Sequence, residues 1–287
     1  MRKLIERLLV FFIGIPMVFA LIFLFPHYRH LLLNISVIVF TAIGAVELSV
    51  MFEKKQIHVL KTEAFLLGLL APLCATLTVS FNIGEWIVPM ILLTGAGWVL
   101  ISRVFSHSAD MEKAAGRIAG CFSVMIYPGV FMYWLVKMNM WENSGAIFLF
   151  LIITFGNDSL AWLFGSLFGK NNRGLIPASP NKSVVGFLGG FIGAVAVSAG
   201  AALLFPGIFS TGLNSVPVSD LLLKAIVLGL CTGIFASLGD LCESAIKRSC
   251  DFADSGKIIL GRGGVLDSID SIAIAAPVYF LLFNIFF

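Results

Sequence analysis

Long apolar runs alternate with short polar connections along the whole chain. The runs fall near residues 8–25, 31–52, 64–80, 86–102, 118–136, 145–169, 183–205, 221–247 and 271–287. Each has the length of a helix crossing a hydrocarbon layer about 30 Å thick. In lipid the backbone must satisfy its own hydrogen bonds, and a helix does so within one segment. The pattern predicts an all-α, polytopic integral membrane protein with about nine transmembrane helices. The first run has a basic front, yet it is longer than the apolar region of a signal peptide and no small-x-small cleavage site follows it. It reads as a retained first helix. The polar connections leave no room for a separate soluble domain. The chain divides into N-terminal transmembrane helices, 1–140, and a C-terminal transmembrane region, 141–287, that carries the polar stretches described below.

Composition agrees with the periodicity. Of the 287 residues, 59% are hydrophobic and 12% charged, about half the charged share of a soluble domain. Cys74, Cys121, Cys231, Cys242 and Cys250 are odd in number and form no CxxC pair, which argues against a disulfide framework or a zinc site. Grouping alternate loops puts all but Arg29, Lys137 and Lys224 of the 19 Lys and Arg residues on one side. By the positive-inside rule that side, with the N-terminus, is cytoplasmic.

Charged groups within a membrane are costly and tend to be functional. Three polar clusters break the apolar pattern, all toward the cytoplasmic half. In "FGNDSLAWLFGSLFG", Asp158 falls roughly 20 Å along a helix entering near Gly145. Asn157 and Ser159 beside it suggest a wet cavity, and a structural carboxylate bonded to a neighbouring helix is the plain alternative. In "GDLCESAIKR", Asp240, Glu243 or Ser244, and Lys247 share one helical face, a pattern that a solvated helix end would also show. In "DFADSGKIILGRGGVLDSID", Asp251, Asp254, Asp267 and Asp270 crowd a glycine-rich loop between helices. So many carboxylates repel unless a cation gathers them, and oxygen donors with open positions suit Mg²⁺ bridging to phosphates. The glycines would let backbone N–H groups approach those phosphates. A fourth stretch, "LIPASPNKSVVGFLGG", places Asn181 and Lys182 before a helix, where Ser179 or Asn181 could cap it and an anion would be favoured. The four histidines are scattered, and no GxSxG, HExxH or P-loop pattern occurs.

"SAIKRSCDFADSGKIILGRGGVLDSID" resembles the signature of phosphatidate cytidylyltransferases, the CDP-diacylglycerol synthases. Ser244, Lys247, Arg248, Asp254, Gly256, Gly263, Gly264, Asp267 and Asp270 match it without gaps, and the stretches around Asp158 and Lys182 precede it in the expected order. Ala253 stands where the signature has Lys, Leu260 where it has Pro, Arg262 where it has His, and Ser268 where it has Arg. Arg262 can still donate to phosphate. Every carboxylate of the signature is kept.

The resemblance implies transfer of a cytidylyl group from CTP to phosphatidic acid, giving CDP-diacylglycerol and pyrophosphate with Mg²⁺. It implies Asp240 and Asp267 as metal ligands and Asp254 and Asp270 as catalytic groups completing or orienting the site. Lys182, Lys247, Arg248 and Arg262 would hold phosphates, and Asp158, Asn181 and Ser244 would line the cavity. The partners expected are CTP, phosphatidic acid and membrane lipid, with no nucleic acid; a homodimer is compatible with the sequence. The location expected is the inner membrane, with the active site facing the cytoplasm. Rival readings are a related CTP-using lipid enzyme (polyprenol kinase-like, or acting on archaeal-type lipid phosphates), an ion-coupled transporter using Glu47, Asp158 and Asp240, and an inactive scaffold. No internal repeat supports the transporter.

Overall fold

The computed structural model describes residues 2–104, 111–209, 217–259, 261 and 263–287, with side chains from Ile13 onward. The helices in chain order are α1 (Arg2–Phe23), α2 (His27–Glu53), α3 (Lys61–Ser80), α4 (Ile87–Val104), α5 (Ala114–Val124), α6 (Phe131–Lys137), α7 (Ser144–Phe168), α8 (Val184–Leu204), α9 (Val218–Ser249) and α10 (Leu266–Phe286). Between α5 and α6 runs a π-helical turn, Met125–Val130, containing Pro128, whose missing N–H suits a break in the regular ladder. The described residues form isolated β-bridges but no strand.

The chain is an all-α, polytopic integral membrane protein. Among the described residues, eight helical stretches are long and apolar enough to cross a membrane; one of them is the continuous stretch Ala114–Trp141. Helix α1 adds a shorter apolar stretch, Ile13–Phe23. The regular start of α2 agrees with the apolar run near 31–52, whereas the start of α10 differs from the run near 271–287. Tyr28, Arg29 and His30 have left-handed φ of 52°, 54° and 56°, so the regular part of α2 starts only after them. Helix α10 begins at Leu266 instead of near 271. Its polar first turn is helical because a carboxylate from α2 supplies partners for backbone N–H groups there, as described below.

The chain forms two compact units. One comprises Met1–Met140 and Lys247–Ile269, the other Trp141–Ile246 and Asp270–Phe287. In the first, α3 is the hub, packing against α2, α4, α5, the π turn and α6. A Cβ on Gly68 would run into Ala45, so glycine sets how closely α3 lies against α2. At one end of this unit buried Asn34 and Asn139 bond to each other at 2.7 Å, and Asn34 donates to Ser80. At the start of α3, Glu63 accepts from Arg103 at 2.5 Å and Arg117 at 3.2 Å, joining α3, α4 and α5. In the second unit, α7 and α8 pack most extensively. The small residues of "GFLGGFIGAVAVSAG" permit this, as in other lipid-embedded helix pairs. Tyr279 of α10 donates to the Ala146 carbonyl of α7 at 2.8 Å inside this unit.

Glu63 is almost fully buried between two guanidinium groups. Glu63→Ala would leave both cations without their carboxylate, a change that typically costs about 3–5 kcal/mol. A clear fall in the thermal midpoint of the purified protein in detergent is expected, and a midpoint equal to the parent's would show that the triad does not stabilise the unit.

Candidate active site

The signature stretch folds around two carboxylates in the first unit. Asp267 lies in the first turn of α10. Its Oδ2 accepts from the backbone N–H of Ser255 at 2.9 Å, the Ser255 hydroxyl at 2.8 Å and the backbone N–H of Gly264 at 2.7 Å. Its Oδ1 faces the Lys247 ammonium at 2.5 Å. Both side chains of this pair are at least nine-tenths buried. Lys247 sits in the last turn of α9, where a cation also meets the negative end of the helix dipole.

The second carboxylate is Glu47, buried in α2. It accepts from the N–H of Val265 at 3.0 Å and of Leu266 at 2.8 Å, and its Oε2 lies 3.2 Å from the Ser255 hydroxyl. It thus caps α10 from another helix, satisfying N–H groups that a helix start leaves open. Gly44, one turn earlier on α2, brings the helix against Leu266 and Ile269. The glycines serve this closure. Gly263 has φ of 110°, a conformation that favours glycine. A Cβ on Gly264 would lie 2.5 Å from Glu47 Oε2 and 2.6 Å from the Gly256 nitrogen, and one on Gly256 would collide with Glu47 Oε1. The sequence suggested that these glycines open the backbone to phosphate; the space they leave is filled by the chain's own carboxylate.

The remaining residues of the loop stand apart. Asp254 is exposed and lies beside Gly263. Arg248, also exposed, donates to the Phe252 carbonyl at 3.0 Å. Asp251 does not join Asp267. It turns out of the end of α9 with φ of 59° and pairs with Lys55 at 2.8 Å, while Lys54 donates to its carbonyl at 2.9 Å. Arg262 lies outside the described residues.

In the second unit, Asp240 of α9 pairs with Lys182, and Ser244, one turn on, donates to its Oδ1 at 3.4 Å. Of the two candidates for that position on the face, Ser244 makes the contact. Asp158 of α7 lies within electrostatic range of Asp240 and Lys182. Fully buried Asn157 donates toward Asp158 at 3.3 Å and to Ser237 at 3.1 Å. Ser159 beside them is exposed. Asp270 accepts from the N–H of Ser271 at 2.6 Å. The helix after the proline-rich turn is capped by Ser183, which accepts from Gly186 N–H at 3.0 Å, and not by Ser179 or Asn181. The reason is position: α8 starts at Val184, and the cap must directly precede it. Asn181 is exposed on the turn, leaving Lys182 to reach Asp240.

Carboxylate oxygens are donors of the kind Mg²⁺ takes, and each unit carries its own. Asp158 and Asp240 share one nearby ammonium, Lys182, and Asp267 already holds a cation at Oδ1 in the form of Lys247. No group of three or more His, Cys, Asp or Glu residues suited to a metal occurs among the described residues.

The fold and these clusters define a polytopic membrane protein with carboxylate–lysine pairs on its polar loops and helix ends. The cytidylyltransferase family profile matches residues 5–286, and the chain belongs to that family. It is 37% identical over 161 residues to the phosphatidate cytidylyltransferase of Bacillus subtilis, covering 55% of each chain. It is 35% identical over 204 residues to that of Staphylococcus haemolyticus, covering 69% of this chain and 72% of the relative. With the protein of that name from Thermotoga maritima it shares 31% over 192 residues, 63% of this chain and 66% of the relative. The match to the Bacillus protein thus spans little more than half of that relative's length.

The exposed Lys55–Asp251 bridge gives a pH signature. The bond to Lys55 holds the Asp251 carboxyl below its ordinary range, and the bond to Asp251 raises the Lys55 ammonium above its own. The stabilisation is therefore present above the ordinary carboxylate pKa and fades as pH falls through the lowered value. At the other extreme it is present below the ordinary lysine pKa and fades as pH rises through the raised one. The midpoint difference between the parent and Asp251→Asn is expected to be small, level between about pH 5 and 9, and shrinking below about pH 4. Midpoints taken across that range check it; a difference that grows on acidification would contradict the pairing.

Proposed function

We propose that the protein transfers a cytidylyl group from CTP to phosphatidic acid, releasing pyrophosphate and forming CDP-diacylglycerol, with Mg²⁺ as its ion. The observation that carries this reading is the Asp267 clamp. The gap-free signature places one carboxylate under three donors and turns it toward a lysine, at the polar end of a membrane helix. Family membership and relatives named phosphatidate cytidylyltransferase support the same chemistry.

In the reaction, a phosphate oxygen of phosphatidic acid forms a bond to the α-phosphorus of CTP, and the bond from that phosphorus to the β-phosphate's bridging oxygen breaks. Pyrophosphate carries away the electron pair. The protein's share is positioning and charge neutralisation, not covalent chemistry. Lys182 and Lys247 would hold phosphates, with Arg248 and Arg262 adding charge at the loop. Asp240, with Asp158 near it, and Asp267 would each give a carboxylate oxygen to Mg²⁺; Asp254 and Asp270 would complete or orient those ligands. When bound, the ion would neutralise charge on the phosphates.

The reading places the signature loop in the cytoplasm, where CTP is available, and the protein in the inner membrane with a cytoplasmic N-terminus. The bias of Lys and Arg supports that orientation. A homodimer is compatible with it.

Incubation of the purified protein with phosphatidic acid, Mg²⁺ and CTP labelled at the α-phosphate is expected to move label into the lipid phase. Transfer of γ-label instead would identify a lipid kinase, and no transfer of either would reject the proposal. Asp240→Asn and Asp267→Asn should each lower turnover by about two orders of magnitude or more while the thermal midpoint shows a folded protein. Full turnover in either variant removes that residue from the site.

A further inference from the structure

Glu47 has no place in the signature, yet it makes three long-range contacts to the signature loop. We propose that Glu47, acting through Ser255, is a positioning residue for Asp267. This rests on the proposed role of Asp267 in cytidylyl transfer.

The case begins with the environment. Glu47 is buried within an apolar run of α2, where an ionisable side chain is disfavoured unless it is paired or hydrogen-bonded. Its partners are the N–H groups of Val265 and Leu266 and the hydroxyl of Ser255. Val265 and Leu266 directly precede Asp267, so Glu47 fixes the direction in which the chain enters α10. Ser255 stands between the two carboxylates. Its hydroxyl is 3.2 Å from Glu47 Oε2 and 2.8 Å from Asp267 Oδ2, and it accepts from the Asp267 N–H at 3.2 Å. A hydroxyl has one proton, so it serves one carboxylate at a time while both hold its oxygen in place. The result is a connected line, Glu47–Ser255–Asp267–Lys247. It holds Asp267 by Oδ2 and directs Oδ1 at the ammonium. Gly256 and Gly264 extend the argument, because any side chain there would enter the space of the Glu47 carboxylate.

A purely structural cap would stabilise α10 without governing Asp267. The two roles separate in Glu47→Gln, Ser255→Ala and the double variant, with the full chain reconstituted in phosphatidic-acid-containing bilayers. Loss of an outer partner of this kind typically lowers activity about 10- to 100-fold, and each single variant is expected to lose kcat in that range with little change in the KM for CTP. The double variant should be no worse than the poorer single one, since both cut the same line. A second readout needs no turnover: acylation of Lys247 by an amine-reactive reagent, measured against Lys182 in the same sample. It should rise in both single variants as Asp267 loosens, while the thermal midpoint of Ser255→Ala stays near the parent's. Unchanged kcat, an unchanged Lys247 ratio or additive losses in the double variant would overturn the proposal. If Glu47→Gln does not fold, Ser255→Ala alone decides by the same two readouts. If the parent transfers no label, the activity reading fails separately, and the Lys247 ratio still decides the positioning.

Discussion

A carboxylate in or beside a lipid layer must find donors from the protein, because water is not there to supply them. That constraint organises this molecule. A charged residue at a helix centre costs about 2.5–3.5 kcal/mol to insert. A hydrogen bond to an ionised group contributes about 1.5–3 kcal/mol. One such bond falls short of the insertion cost over most of that range, and three together exceed it. Asp267 meets at least three donors, and Glu47 meets two backbone N–H groups and shares the Ser255 hydroxyl with it. Glu63 meets two guanidinium groups. The acids are tolerated where the fold converges donors on them.

The donors differ in kind, and the difference separates tasks. Glu63 is held by arginine side chains from α4 and α5 and ties helices together. Glu47 is held by backbone N–H groups and a hydroxyl, which fixes a helix start. Asp240 and Asp267 are held in part by lysines, whose single ammonium can move on a flexible stem. A lysine partner can turn to an arriving phosphate in a way that backbone amides cannot. On the proposed reading, the lysine-paired Asp240 and Asp267 serve the chemistry and the amide-capped Glu47 supports it. Within the signature loop, Asp251 is also paired with a lysine, Lys55, but that pair is exposed.

The membrane class and eight of the apolar spans were legible in the sequence, because each depends on local composition. Any segment long and apolar enough must be a helix in lipid. The gap-free spacing from Ser244 to Asp270 was legible for the same reason, being a property of one stretch of chain. Glu47 was visible too, as a lone acid inside the run "TAIGAVELSVMF". Its work was not, since its partners lie more than 200 positions further along.

What the sequence determined by itself is a helical membrane protein whose carboxylates and lysines collect in a few short stretches of chain. Only the tertiary structure decided which acid meets which cation. It paired Asp267 with Lys247, Asp240 with Lys182 and Asp251 with Lys55, out of a crowd that looked alike in sequence. It also made Ser183 the cap of α8 and began α10 at Leu266. The physical reason is common to all of these. Apolar length acts through a solvent that every segment meets alike, whereas a hydrogen bond needs two groups brought within about 3 Å in the right direction, and distant parts of a chain reach that distance only once the helices have packed.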